Sequence, residues 1–245
     1  MPVRGDWSWI GSSVRGPRHR VDGTANQDAW RVCCRSRFFA AVVCDGLGSR
    51  THSSYGARAA CRALIVAAQS WSRAHGASTE ALLRLIHAQW TVELGQRARE
   101  ECATTCLFAL FTADGRGLLG QLGDGLVYLR RHTGGAVVVS RSTSSEFTNE
   151  TTGLGIATNL SAWSTTELPT LSLGDCLMMA TDGVSEDLIE DRRDAFLDHA
   201  EVRYPPKSRD SGRVLARDLR KWPVVRHTDD KTILFVWHGA TGAHV

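Results

Sequence analysis

Apolar residues are spaced along this chain in two rhythms. Short unbroken runs such as Phe38 to Cys44, Cys176 to Ala180 and Thr232 to Trp237 read as strands buried on both faces. Between them, apolar residues recur at three- and four-residue steps, which is the mark of a helix with one buried face. Ala57, Cys61, Leu64, Ala68 and Trp71 make the first such stripe, in a helix that begins near Ser53 and closes at Gly76. Leu82, Leu85, Ile86 and Trp90 make the second, with Ser78 or Thr79 as its cap and Glu80 in its first turn.

The remaining elements follow in order. Trp7 to Gly11 reads as a first strand and Ser12 to Asn26 as a polar, flexible segment. Asp28 to Cys34 is a second strand. From Ala103 to Ser140, four short strands with tight glycine turns predict an antiparallel meander. The polar stretch 140–159 is a long loop, and strands return at 162–168 and 175–181. Helices are expected over 194–204 and 211–222, kept apart by Pro205-Pro206, before a last strand at 231–237. The segment 191–226 reads as a substrate-facing flap or as an outer helical layer. Segregated runs of strands and helices predict an α+β fold, two antiparallel sheets covered by helices on both outer faces, in one domain over 1–245.

Composition narrows the function classes. The 245 residues are 42% hydrophobic and 22% charged with a formal net charge of +3, so no dense basic block suggests nucleic acid as a partner. The N-terminal residues lack a signal core and no apolar run reaches the roughly 18 residues a membrane helix needs; a cytoplasmic protein with no membrane partner is expected. The 7 cysteines are odd in number and fall mostly inside apolar elements, and Cys102 and Cys106 lack zinc spacing, so buried reduced thiols are expected.

The chemistry lies where apolar strands run into carboxylates. Asp45 and Asp182 each end such a strand and each precede a glycine, Asp28 opens a strand, and Asp229 stands just before the last one. An ionised Asp at the end of a buried strand is costly unless a cation or a full set of donors receives it. Clustered Asp oxygens suit Mg²⁺ or Mn²⁺ rather than zinc, which favours His and Cys. Asp-Gly is also a common turn. Asp22-Gly23 and Asp114-Gly115, set among polar residues, read as turns only, and for Gly123-Asp124-Gly125 both readings stand.

Five ordered motifs then carry a resemblance: Asn26-Gln27-Asp28-Ala29, Val43-Cys44-Asp45-Gly46-Leu47-Gly48-Ser49, Gly123-Asp124-Gly125, Ala180-Thr181-Asp182-Gly183 and Asp229-Asp230-Lys231-Thr232. Together they resemble the metal-dependent protein serine/threonine phosphatases of the PPM, or type 2C, family, in a bacterial branch with Gln-Asp-Ala early and an Asn-Glu-Thr loop, here Asn149-Glu150-Thr151. The resemblance implies a four-layer α-β-β-α sandwich with two Mn²⁺ or Mg²⁺ ions at one end. It implies metal ligation by Asp28, Asp45, the Gly46 carbonyl, Asp182 and Asp229, with Asp124 associated with a third, weaker ion. Asp45, matched to the carboxylate that bridges both ions, and Asp182 are then the catalytic residues. A hydroxide shared by the two ions would attack phosphorus in line, without a covalent phospho-enzyme. A phosphorylated protein is the implied substrate and a serine/threonine kinase the implied counterpart.

The chain departs from that pattern in three places. Gln27 replaces the usual Glu, Gly23 stands where a phosphate-binding Arg is expected, and Leu47 stands where some relatives carry a His. His19 or Arg20 is the candidate replacement cation, and Asn149 a candidate substrate contact. Asp230 reads as a solvated neighbour or outer support of Asp229, and Trp163 and Trp222 as core residues. A catalytically inactive binding module of the same fold and a hydrolase of small phosphoesters are the alternatives.

Overall fold

The structure is a computed structural model and describes residues 7–139, 152–222 and 228–239. Ten strands form two five-stranded antiparallel sheets. One contains β1 (Trp7–Val14), β10 (Lys231–His238), β9 (Cys176–Ala180), β6 (Leu126–Arg130) and β7 (Ala136–Val138), in that order. The other contains β2 (Asp28–Cys34), β3 (Phe38–Asp45), β4 (Cys106–Thr112), β5 (Arg116–Leu122) and β8 (Ser164–Pro169).

The unbroken apolar strands are buried twice over because each sheet has two covered faces. On β3, Phe39, Ala41 and Val43 meet Met179, Leu234 and Val236 of the opposite sheet, while Phe38, Ala40, Val42 and Cys44 face the helices. Those helices are α2 (Ser53–Trp71) and α3 (Thr79–Leu94), both with the expected apolar stripe. The Ser78 side chain caps α3 by accepting from the Ala81 amide. The other outer face is covered by α5 (Arg193–Arg203) and α6 (Ser211–Arg220), whose Leu197, Leu215 and Leu219 pack on Phe235 and Trp237. The segment 191–222 is therefore an outer helical layer. All seven thiols are free, and five of them are buried. Trp163 is buried beside Phe108, and Trp222 packs edge-on to Phe196. Among the described residues, no helix is long and apolar enough to cross a membrane.

Two expectations are corrected. The strands from 103 to 140 do not form one meander, because β4 and β5 belong to one sheet and β6 and β7 to the other. Gly123-Asp124-Gly125 is thus the step between sheets and not a hairpin turn. The segment from Ser12 to Asn26 is not irregular throughout. β1 continues to Val14, because its pairing with β10 runs on through Ser12, Ser13 and Val14. A short helix, α1 (Pro17–Val21), follows with Pro17 in its first turn, where a missing N–H costs nothing.

Asp230 ties these parts together. Its carboxylate is 2% exposed and accepts the amides of Gly16 (2.7 Å) and Gln27 (2.6 Å), with His19 Nδ1 2.9 Å away. The Asp230 backbone carbonyl lies so close to Gly183 that a Cβ there would sit 1.9 Å from it, and a Cβ on Gly16 would sit 2.3 Å from the Asp229 carbonyl carbon. The segment before α1, the start of β2, the start of β10 and the turn after β9 thus meet at one residue. The expectation that Asp230 is solvated fails, since its carboxylate replaces water as acceptor for two buried amides. Asp230→Ala would orphan both amides and is expected to cost about 2–4 kcal/mol, lowering the melting temperature by roughly 10 °C. A thermal melt unchanged within a degree would refute this role.

Candidate active site

Each functional carboxylate sits where a strand stops. Asp28 and Asp45 are paired directly across β2 and β3. The backbone around Asp45 is clamped by its neighbour on the other side: the Asp45 amide donates to Thr105 Oγ1 at 2.9 Å, while its carbonyl accepts from the Thr105 amide and Thr104 Oγ1, each at 2.8 Å. Asp182 opens a one-turn helix, α4 (Asp182–Ser185), and accepts from the Gly183 amide at 2.6 Å. Asp124 is held on the inter-sheet step between two glycines with φ of +94° and +110°, a region closed to most side chains. Gln121 braces that step by donating to the carbonyls of Gly123 and Gly125.

These elements bring one oxygen each of Asp45, Asp124 and Asp182 within 4.8 Å of one another. The turn-only reading of Asp124 is therefore set aside. Asp229 falls in a neighbouring group with His19 and Asp230 and lines the same cleft of about 440 Å³. Gly46, Leu47, Gln27 and Arg18 line it too. Asp28 stands one layer deeper. Its Oδ2 accepts from Thr181 Oγ1 at 2.9 Å, while its Oδ1 is buried without a hydrogen-bond partner.

The electrostatics are those of a cation site. Burial pushes the Asp28 carboxyl up to about 7. Burial first, then the charges of Asp28 and Asp182, hold Asp45 well above the usual carboxylate range. Burial also raises Asp182, with the charges of Asp124 and Asp229 adding to it. A divalent ion among these oxygens would relieve the repulsion, and an all-oxygen donor set fits Mn²⁺ or Mg²⁺.

The candidate substrate contacts fare differently. His19 lines the cleft, with its Nδ1 2.9 Å from Asp230 but out of hydrogen-bond alignment. Arg20 turns away, donating through two nitrogens to the Arg15 carbonyl at 2.9 and 2.8 Å, and does not line the cleft. Asn149 lies outside the described residues. Among the described residues, the arginine that lines the cleft is Arg18, 76% exposed and 3.8 Å from Asp22. Sequence reasoning passed it over because the one-turn helix that aims it was read as irregular; Pro17 was the available signal.

Residues 15–222 match the family model described as protein phosphatase 2C. The chain belongs to that family. No curated protein matches it by sequence. Its fold is similar to the catalytic domain of the serine/threonine phosphatase PstP in complex with two manganese ions, at 18% identity and TM-score 0.60 over 96% of this chain and 99% of that one. It is similar to RsbX in complex with magnesium, at 13% identity and TM-score 0.63 over 98% of each chain. It also resembles a Bacillus subtilis SpoIIE structure holding the phosphatase domain and a fragment of the regulatory domain, at 15% identity and TM-score 0.62; 96% of this chain covers 64% of that one. As a family member the chain is a metal-dependent phosphoprotein phosphatase of the serine/threonine class, with the α-β-β-α sandwich expected of it. The inactive-module alternative finds no support.

The raised carboxyls make stability depend on pH with a definite sign. A group that binds its proton more tightly when folded stabilises the fold at low pH and loses that contribution as pH rises to the folded value. Without metal, the protein should melt at a lower temperature at pH 8 than at pH 5, by roughly 5–10 °C. Mn²⁺ should stabilise it most at pH 8, where the carboxylates are ionised. Asp45→Asn should flatten the metal-free trend, and a trend of opposite sign in EDTA would contradict the assignment.

Proposed function

We propose that the chain forms one phosphatase domain that removes phosphate from phosphoserine and phosphothreonine with two divalent ions, Mn²⁺ or Mg²⁺. Asp45 is assigned to both ions, the Gly46 carbonyl to one, and Asp182 and Asp229 to the other. Asp28 completes the set from behind Asp45, and Asp124 serves a third, weaker ion. The observation that carries this reading is the convergence of Asp45, Asp124 and Asp182 within 4.8 Å at the mouth of one polar cleft. The buried Asp28 oxygen without a donor supports it as well.

When bound, the ions would supply the Lewis acidity that activates water and neutralises the phosphoryl oxygens. The residues do the positioning. Thr104 and Thr105 fix the backbone of Asp45, and Thr181 fixes Asp28. Arg18 takes the role of the absent phosphate-binding Arg: it is the exposed guanidinium at the cleft, and its loose contact with Asp22 leaves it able to turn onto a phosphoryl group. His19, next to Arg18 and 2.9 Å from Asp230, lines the same cleft. A cognate kinase and a cytoplasmic setting complete the proposal.

Hydrolysis of p-nitrophenyl phosphate should require Mn²⁺ or Mg²⁺ and vanish in EDTA. Asp45→Ala should lower it more than about 100-fold, beyond the usual loss from an outer-shell change, while the fold survives by circular dichroism. Unchanged turnover would remove the assignment. Arg18→Ala should raise KM for a phosphopeptide roughly tenfold with a smaller change in kcat. Arg20→Ala should change neither, and the reverse pattern would restore Arg20 to the role.

A further inference from the structure

Positive charge gathers on helix α6 and the turn that leads into it. Between Arg203 and Lys221, seven basic residues stand against two acidic ones, a net +5 where the whole chain carries +3. Helix α6 sorts them. Leu215 and Leu219 point into the sandwich, while Arg213, Arg217, Arg220 and Lys221 are exposed on the opposite side. Those four recur at steps of four, three and one, so they lie on one helical face. Arg213 is 89% and Arg217 55% exposed at the side chain.

A solvated face would mix signs. Here the pairs Arg213–Arg217 and Arg217–Lys221 put like charges four apart, an arrangement that weakens a helix. The two local acids do not cancel the stripe. Asp218 is shared by Arg203, the Tyr204 hydroxyl and Arg217, 3.5 Å away, and Asp210 lies 3.5 Å from Arg213, so two acids stand against four cations on this face. The dipole of α6 favours cations in its last turn, which accounts for Arg220 and Lys221 but not for Arg213.

One end of the stripe lies by the segment that follows α4. Just past Lys221, the Trp222 indole donates to Asp187 at 2.7 Å, five residues beyond Asp182. Trp222, Leu219 and Val184 of α4 share one apolar cluster. From there to Arg213 the face extends about 12 Å at the helical rise, the length of roughly four residues of extended peptide.

We propose that this face of α6 is a docking surface for an acidic stretch of the phosphoprotein substrate, flanking the phosphorylated residue. The proposal rests on the phosphatase reading given above. An acidic peptide is the occupant because the charge is complementary and the stripe ends beside Asp187, five residues past Asp182. Aromatic side chains, on which nucleic acid bases would stack, do not interleave the cations.

The test compares two phosphoserine peptides, one flanked on both sides by four glutamates and one by four glutamines, with p-nitrophenyl phosphate as a third substrate. The variant is Arg213→Glu/Arg217→Glu, with Arg213→Gln/Arg217→Gln as a milder companion. For the wild type, KM should be lower for the glutamate peptide. The charge reversal should raise that KM roughly tenfold, leave kcat and both other substrates unchanged, and be mimicked by high salt. The glutamine variant should fall between. If KM for the two peptides moves equally, or does not move, the docking surface is wrong while the phosphatase reading stands. If the wild type hydrolyses none of the three substrates with Mn²⁺, the phosphatase reading fails first and the docking proposal falls with it. Loss of p-nitrophenyl phosphate hydrolysis in the charge variants alone would show that α6 supports the fold or the cleft rather than docking.

Discussion

The structure depends on one buried carboxylate that does no chemistry of its own. Asp230 gathers the amides of Gly16 and Gln27 and the imidazole of His19, and its main chain packs against Gly183. Each partner belongs to a segment that carries a functional group: α1 carries Arg18, β2 carries Asp28, β10 is preceded by Asp229, and α4 begins with Asp182. A water in place of Asp230 could satisfy the same amides but could not fix four chain segments at once. The candidate carboxylates are therefore placed mainly by backbone; Thr181 holds one oxygen of Asp28 and the Gly183 amide one of Asp182, which leaves other oxygens of the group available to ions.

Fixing them has an energetic consequence. Four Asp residues at one end of a sandwich repel one another and lose hydration, which is why Asp28, Asp45 and Asp182 hold protons above the ordinary range. The fold tolerates this because the two sheets are locked elsewhere. Thr181, at the end of β9, bonds to Asp28 in the other sheet and to Thr232 beside it. Phe39, Phe111 and Trp7 stack in the interior between the sheets. Apolar burial thus offsets an end that is designed to be unstable without cations.

Much of this was legible in the sequence, for a physical reason. A strand buried on both faces leaves an unbroken apolar run, so the polar residue at which it stops is conspicuous; Asp45 and Asp182 were found that way. The helices α2 and α3 announced themselves by period, and Pro205-Pro206 marked the break between α5 and α6. What stayed hidden was whatever depended on which sheet a strand joins. The runs around β5 and β6 look alike, and only pairing shows that Asp124 lies on the step between sheets. Short elements were equally opaque: α1 is five residues long and has no buried residue to generate a pattern, so Arg18 was overlooked in favour of Arg20. Asp230 was left between solvated neighbour and outer support of Asp229 because an Asp-Asp pair gives no local sign of which member faces inward; its buried carboxylate fits the second.

The charge distribution follows from the same division of labour. Carboxylates that must stay close at the end of the sandwich make the cleft negative until cations fill it. A phosphoprotein is negative too, so the empty cleft would repel it at distance, and only the bound ions reverse that. A basic outer layer beside the cleft acts on the approaching chain before the ions do, and it acts on residues other than the one to be cleaved. Placing those cations on α6 and outside the cleft also keeps them from competing with Mn²⁺ or Mg²⁺ for Asp45 and Asp182. Attraction of the substrate and attraction of the metal can then be tuned by separate residues on separate layers.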